Sequence, residues 1–143
     1  MAILNSVTNL NANIGSANYY RRNIFPIIMA GGTTIPLTDA WLPDDSAPNP
    51  TYLQVPARSG RLRIRMTPAS GGTVQLGSVR GTDGTNTVLL FPGGPMAAAN
   101  TVIDQVILFH TDLYLTAFRY SIAVAGGTAT TNSYVDTELI WSV

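Results

Sequence analysis

The chain has 143 residues, eight basic against eight acidic ones, no cysteine, and 11% charged beside 45% hydrophobic residues. One domain of this length can bury a self-supporting core, while the lack of cysteine excludes disulfides, thiolate metal sites and cysteine nucleophiles. Every basic residue is arginine and Glu138 is the only glutamate, whereas Thr, Val, Ile, Asn and Gly abound; strong surface helix formers are scarce, which predicts an all-β protein.

Residues 1–20 hold five asparagines and no charge, with Ile3, Leu4, Val7, Leu10 and Ile14 scattered among them. Asparagine disfavours a helix here, so the segment reads as an extended arm. Twenty extended residues reach on the order of 65 Å, enough to cross a neighbouring chain. The start, MAILNSVTNLNANIG, has neither the basic region nor the apolar core of a signal peptide. Tyr19-Tyr20-Arg21-Arg22 closes the arm with residue types enriched at interfaces. The domain division is therefore an arm at 1–20 and a β-sandwich at 21–143.

Short apolar runs separated by turn residues follow. NIFPIIM at 23–29 is strand-like, and Pro26 confines it to an edge or a bulge. A short strand at 33–37 again contains a proline, and 38–50 is a long loop rich in Pro and Asp. Strands are expected at 51–55, 61–67 and 73–79, and Asp83-Gly84 marks a tight hairpin turn before a returning strand at 87–91. FPGGPMAAAN at 91–100 is a loop; strands at 101–109 and 113–125 flank a turn at His110-Thr111-Asp112. The last strand, from Tyr134, puts Val135, Thr137, Leu139, Trp141 and Val143 on one face and Tyr134, Asp136, Glu138, Ile140 and Ser142 on the other. About eight short strands joined by long loops predict an antiparallel, jelly-roll-like β-sandwich.

No catalytic, cofactor or metal site is expected. His110 with Asp112 lacks any nucleophile signature. A single histidine makes zinc improbable, and Asp44, Asp45 and Asp83 do not follow a calcium-loop pattern. Asp104, Asp136 and Glu138 fall in strands, where they are surface acids or partners for arginines rather than a glycosidase pair.

In RLRIRMT, Leu62, Ile64 and Met66 alternate with Arg61, Arg63 and Arg65, so one face is buried and the other carries three guanidinium groups. Nucleic acid is not the expected partner, because net charge is zero and no aromatic residue lies between 58 and 80 for base stacking. The arginines either pair with acids on adjacent strands or clasp carboxylates of another protein, where the planar fork outperforms lysine. The low charge content, against about 25% in an average soluble domain, favours a surface largely covered by other chains. No apolar run reaches the roughly 18 residues of a membrane span.

With its arm ending in YYRR, strands such as RLRIRMT and YVDTELIWSV and no active site, the chain resembles the small decoration, or cement, proteins on tailed-bacteriophage heads. That resemblance implies a structural virion protein on the outer capsid surface. It would bind the assembled head and bridge subunits of the major capsid protein, as a homotrimer or alternatively a dimer, with no nucleic-acid or membrane partner. The contact residues would be Ile3, Leu4, Ile14, Tyr19, Tyr20, Arg21, Arg22, Arg61, Arg63 and Arg65. The alternatives are another phage structural component, of tail, neck or fibre, or a carbohydrate-binding module using Trp41, Tyr52, Tyr114 and Tyr120 as a platform.

Overall fold

The computed structural model describes residues 18–28, 35–41, 53, 55–127 and 132–143. Eight strands run through them: β1 (Asn18–Ile28), β2 (Ile35–Trp41), β3 (Ala57–Thr67), β4 (Gly72–Thr82), β5 (Thr87–Phe91), β6 (Ile103–Leu115), β7 (Ala117–Gly126) and β8 (Asn132–Ser142). They form two antiparallel four-stranded sheets, A in the order β1-β8-β3-β6 and B in the order β2-β7-β4-β5.

This order follows from one long nested hairpin. β4 pairs with β5, β3 with β6, β2 with β7 and β1 with β8, so each pair encloses the one before it. Rolling the hairpin up places alternate pairs in opposite sheets, and β3–β8 and β4–β7 contacts complete each sheet. The result is the jelly roll expected from the sequence.

The innermost bend is at Asp83-Gly84. Asp83 Oδ1 accepts the N–H groups of Asn86 and Thr85 at 2.6 and 2.8 Å, and Gly84 takes φ of +100°, a conformation that costs a residue without Cβ least. The Asn86 and Thr85 bonds hold the Asp83 carboxyl below the usual carboxylate range.

Strict alternation puts Leu62, Ile64 and Met66 of β3 and Val135, Leu139 and Trp141 of β8 into the space between the sheets. Ile107 and Phe109 join them from β6, and sheet B answers with Val74, Leu76, Val79, Phe118, Tyr120, Ile122 and Val124. Phe109 and Phe118 meet edge to face across the layers, with centroids 5.4 Å apart.

Several placements differ from the sequence reading. The loop expected at 38–50 starts only beyond Trp41, where β2 ends, and Leu53 and Val55, expected in a strand at 51–55, lie outside the strands. β1 already starts at Asn18, because Tyr19 stacks on Trp141 at 5.6 Å and the Tyr20 hydroxyl donates to Glu138 Oε2 at 3.1 Å; both tyrosines thus belong to the sheet. His110-Thr111-Asp112 is no turn. β6 continues through it to Leu115, with an irregularity opposite Ala57 and Ser59. Arg58 holds this part of the strand, its Nε donating to the Thr111 carbonyl and its guanidinium lying 5.1 Å from the Tyr114 ring centre. Val143, assigned to the inward face by alternation, lies beyond the last strand and is exposed. The proposed arm residues Ile3, Leu4 and Ile14 lie outside the described residues, as does the loop at 42–50.

Candidate interaction surface

The outer face of sheet A is a grid whose rows are fixed by register. Tyr20, Ile140, Arg61 and Leu108 lie side by side in one row across β1, β8, β3 and β6. The next row is Arg22, Glu138, Arg63 and Val106, and the third is Ile24, Asp136, Arg65 and Asp104. Alternation along each strand dictates this: Leu62, Ile64, Ile107, Leu139 and the other inward residues fall between these, so the outward positions of the three rows are the residues named here.

The ion pairs run on the diagonals, each arginine reaching an acid in the adjacent row. Arg22 grips Asp136 with two bonds, Nε to Oδ1 at 3.1 Å and Nη2 to Oδ2 at 2.8 Å. Arg63 grips Asp104 in the same forked way at 2.8 and 2.6 Å, and Arg61 Nη2 reaches Glu138 Oε1 at 3.1 Å. Glu138 also receives the Tyr20 hydroxyl on its other oxygen. Burial and then the Glu138 charge push the Tyr20 phenol up. Such forked pairs fix both side chains in the plane of the sheet, although exposed pairs add little stability.

Four guanidinium groups therefore share three carboxylates. Arg65 sits in its row between Asp136 and Asp104, yet among the described residues no carboxylate lies within ion-pair distance of it. With Arg22, Arg63, Asp136 and Glu138 it lines a shallow recess in the face. Apolar side chains flank the charged centre: Leu108 is 77% exposed, Ile24 59%, Tyr134 47% and Val106 46%. A rank of fixed charges with exposed aliphatic side chains beside it suits contact with another protein.

The Arg63 hydrogen bonds, ahead of its charge and the more distant Arg65, hold the Asp104 carboxyl below its usual range. The sign follows from linkage: a carboxyl lowered in the folded state contributes fully above its unfolded value and loses that contribution as pH falls through the folded one. Urea denaturation of the wild type and of Asp104→Asn is expected to show a stability gap at pH 6 that closes below about pH 4. No gap at pH 6 would show that the pair has no part in stability.

Of the residues singled out from sequence, Tyr20, Arg22, Arg61, Arg63 and Arg65 come together on this one face. Tyr19 and Arg21 do not. They point inward, Tyr19 onto Trp141 and Arg21 to a position 2% exposed opposite Leu139. Sequence reasoning placed Tyr134 on the outward face of the last strand but missed Ile24, Val106 and Leu108 as members of the surface; the signal was the outward parity they share with the arginines and acids. Of the aromatic platform, Tyr120 is buried and Tyr114 lies against Arg58, while Tyr52 and the Trp41 side chain lie outside the described residues. His110 is exposed on β6 opposite Ser59, and Asp112 lies 3.8 Å from Arg58.

No protein-family model matches the sequence, and no curated protein does. Among solved structures, a chain of the cyanophage Pam1 capsid asymmetric unit is similar at 18% identity, over 96% of this chain and 92% of that one, with a TM-score of 0.43. A chain of infectious bursal disease virus, Gx strain, is similar at 15% identity over 88% of this chain, with a TM-score of 0.35; the match spans 32% of the viral chain's length. A mutant of a family 29 carbohydrate-binding module is similar at 11% identity, over 85% of this chain and 92% of that one, also with a TM-score of 0.35. The jelly-roll assignment stands on the strand order described above.

Proposed function

We propose that the protein is a structural virion component, a capsid decoration protein that binds the assembled head through the outer face of sheet A and bridges subunits of the major capsid protein. The observation that carries this reading is the arginine–carboxylate grid flanked by exposed Ile24, Val106, Leu108 and Tyr134. Its charges are held rigid by one another, and Arg65 is left to receive a carboxylate from a partner. A chain with only 11% charged residues gains from covering such a face. The mechanism is mass action: a protein that binds only the assembled shell stabilises it, and each bridging copy adds to the effect.

Arg65 separates docking from folding. Arg65→Ala is expected to change the melting temperature little, because none of the three ion pairs uses it and its charge acts on Asp104 only from a distance, while weakening co-sedimentation with assembled heads about tenfold or more, the scale of losing one charge-assisted hydrogen bond. Heads of the phage encoding the chain, stripped of this protein, are the material for the assay. Stripped heads that fail to take up the wild type would overturn the reading; equal uptake of wild type and Arg65→Ala would remove the outer face of sheet A from it.

A further inference from the structure

Among the described residues, four strands terminate the two sheets: β1 and β6 in A, β2 and β5 in B. An edge strand presents unpaired N–H and C=O groups to other chains, and proteins blunt it with proline, basic side chains or brevity. Three of these edges obey. β1 contains Pro26, β2 contains Pro36, and β5 has five residues and runs directly into Pro92. The segment after β5 also covers the rest of that edge, with Gly94, Ala97 and Asn100 N–H groups bonded to β4 carbonyls.

β6 breaks the pattern. It is the longest strand, with thirteen residues and no proline, glycine, lysine or arginine. Its pairing with β3 is regular from Ile103 to His110, and the irregularity lies beyond. The outward residues of that regular part are Asp104, Val106, Leu108 and His110, two of them large, apolar and exposed. Read along the strand, this row is acid, apolar, apolar, base, which is complementary to itself when reversed.

We propose that the protein forms a two-fold homodimer by antiparallel pairing of β6 with β6 of a second copy, centred on Ile107. This register sets Asp104 opposite His110 of the second copy and Val106 opposite Leu108 of the second copy, and symmetry repeats both pairs. Apolar cross-strand pairs stabilise a sheet, and the imidazole N–H can donate to the Asp104 carboxylate. Asp104 keeps acceptor sites for the imidazole beside those used by Arg63, since a carboxylate offers about four. Moving the centre to Leu108 would oppose Asp104 to Asp112, two like charges. Moving it to Phe109 would oppose Val106 to Asp112 in the irregular part of the strand. The chosen register alone among these matches every outward residue.

The dimer joins two sheets A edge to edge. The axis stands normal to the joined sheet, so the two arginine grids face the same way and form one continuous surface. A bivalent surface of this kind raises apparent affinity for a repetitive target. The dimer itself depends only on β6 and forms without any shell, so its failure and the failure of head binding are separately observable.

The natural lack of cysteine makes the register directly testable. Paired strand positions lie within disulfide reach, while diagonal ones do not. The double variant Val106→Cys/Leu108→Cys is expected to give covalent dimers under mild oxidation, and either single variant to give essentially none. Sedimentation equilibrium of the purified wild type should show a reversible dimer. Leu108→Arg, at a position already mostly exposed, should abolish it with an unchanged circular dichroism spectrum and melting temperature. A wild type that stays monomeric at millimolar concentration, a trimer, a Leu108→Arg variant that still dimerises, or single-cysteine variants that cross-link as well as the double one would each overturn the proposal.

Discussion

Trp141→Ala is expected to lower stability by about 3–5 kcal/mol, the range for removing a large buried aromatic side chain. Three separate contributions meet at this residue. The indole is 1% exposed in the core of sheet A. Its Nε1–H donates to the Val55 carbonyl at 3.0 Å and so ties down the chain entering β3. Its ring stacks on Tyr19 at 5.6 Å and so holds the start of β1. Alanine would leave a cavity, an unpaired carbonyl and a loosened edge strand together. For a chain of this size the loss corresponds to a fall of roughly 10–15 °C in melting temperature. Trp141→Phe keeps most of the ring and loses only the hydrogen bond, so it should cost about 1–2 kcal/mol. Equal losses for the two variants would show that the Val55 bond, not packing, carries the site.

Gly60→Ala is expected to cost about 3 kcal/mol, the upper end of the range for overpacking, although it adds one methyl group. Gly60 is the β3 residue paired with Trp141 on one side and Phe109 on the other. A Cβ there would lie 2.8 Å from Trp141 Cα and would also strike the Ile140 carbonyl oxygen. Both obstacles are backbone, so β8 itself must move, and no rotamer change relieves the clash. Gly81 is the control. Its added Cβ would meet Leu115 Cδ1 at 2.5 Å, the end of a flexible side chain, so Gly81→Ala should cost about 1 kcal/mol. Chemical denaturation of the two variants checks the contrast; a Gly60→Ala variant as stable as Gly81→Ala would mean that β3 and β8 separate without cost. Combining Gly60→Ala with Trp141→Phe should bring no relief, because the obstructing atoms remain.

Where alternation is clean, the faces of the strands are legible from sequence. RLRIRMT and YVDTELIW each present one apolar and one charged side, and the structure buries the side that the pattern assigns. Asp83-Gly84 and Pro26 were legible for a different reason, since their backbone restrictions act locally whatever the tertiary context. β1 was not legible in the same way. In YYRR neither parity is apolar, so nothing in the sequence tells that Tyr19 and Arg21 turn in while Tyr20 and Arg22 turn out. That choice comes from Trp141 and Glu138, far along the chain. The break between β6 and β7 was misplaced for a similar reason. HTD resembles a turn locally, but Arg58 on another strand holds it extended. The three acids of the grid were visible as partners for arginines; which acid meets which arginine depends on register, and register is set by the whole roll-up.

The nested pairing of the strands also dictates when this protein can become whole. The Tyr20–Glu138 bond joins residues 118 positions apart, and chains dominated by such distant contacts fold in milliseconds to seconds rather than microseconds. β8 lies between β1 and β3, so the middle of one sheet must wait for the last strand to be synthesised. Until then β1 lacks β8, its partner among the described strands, and the core on that side stands open to water. Any contact made by the closed outer face of sheet A therefore has to wait until β8 has been synthesised.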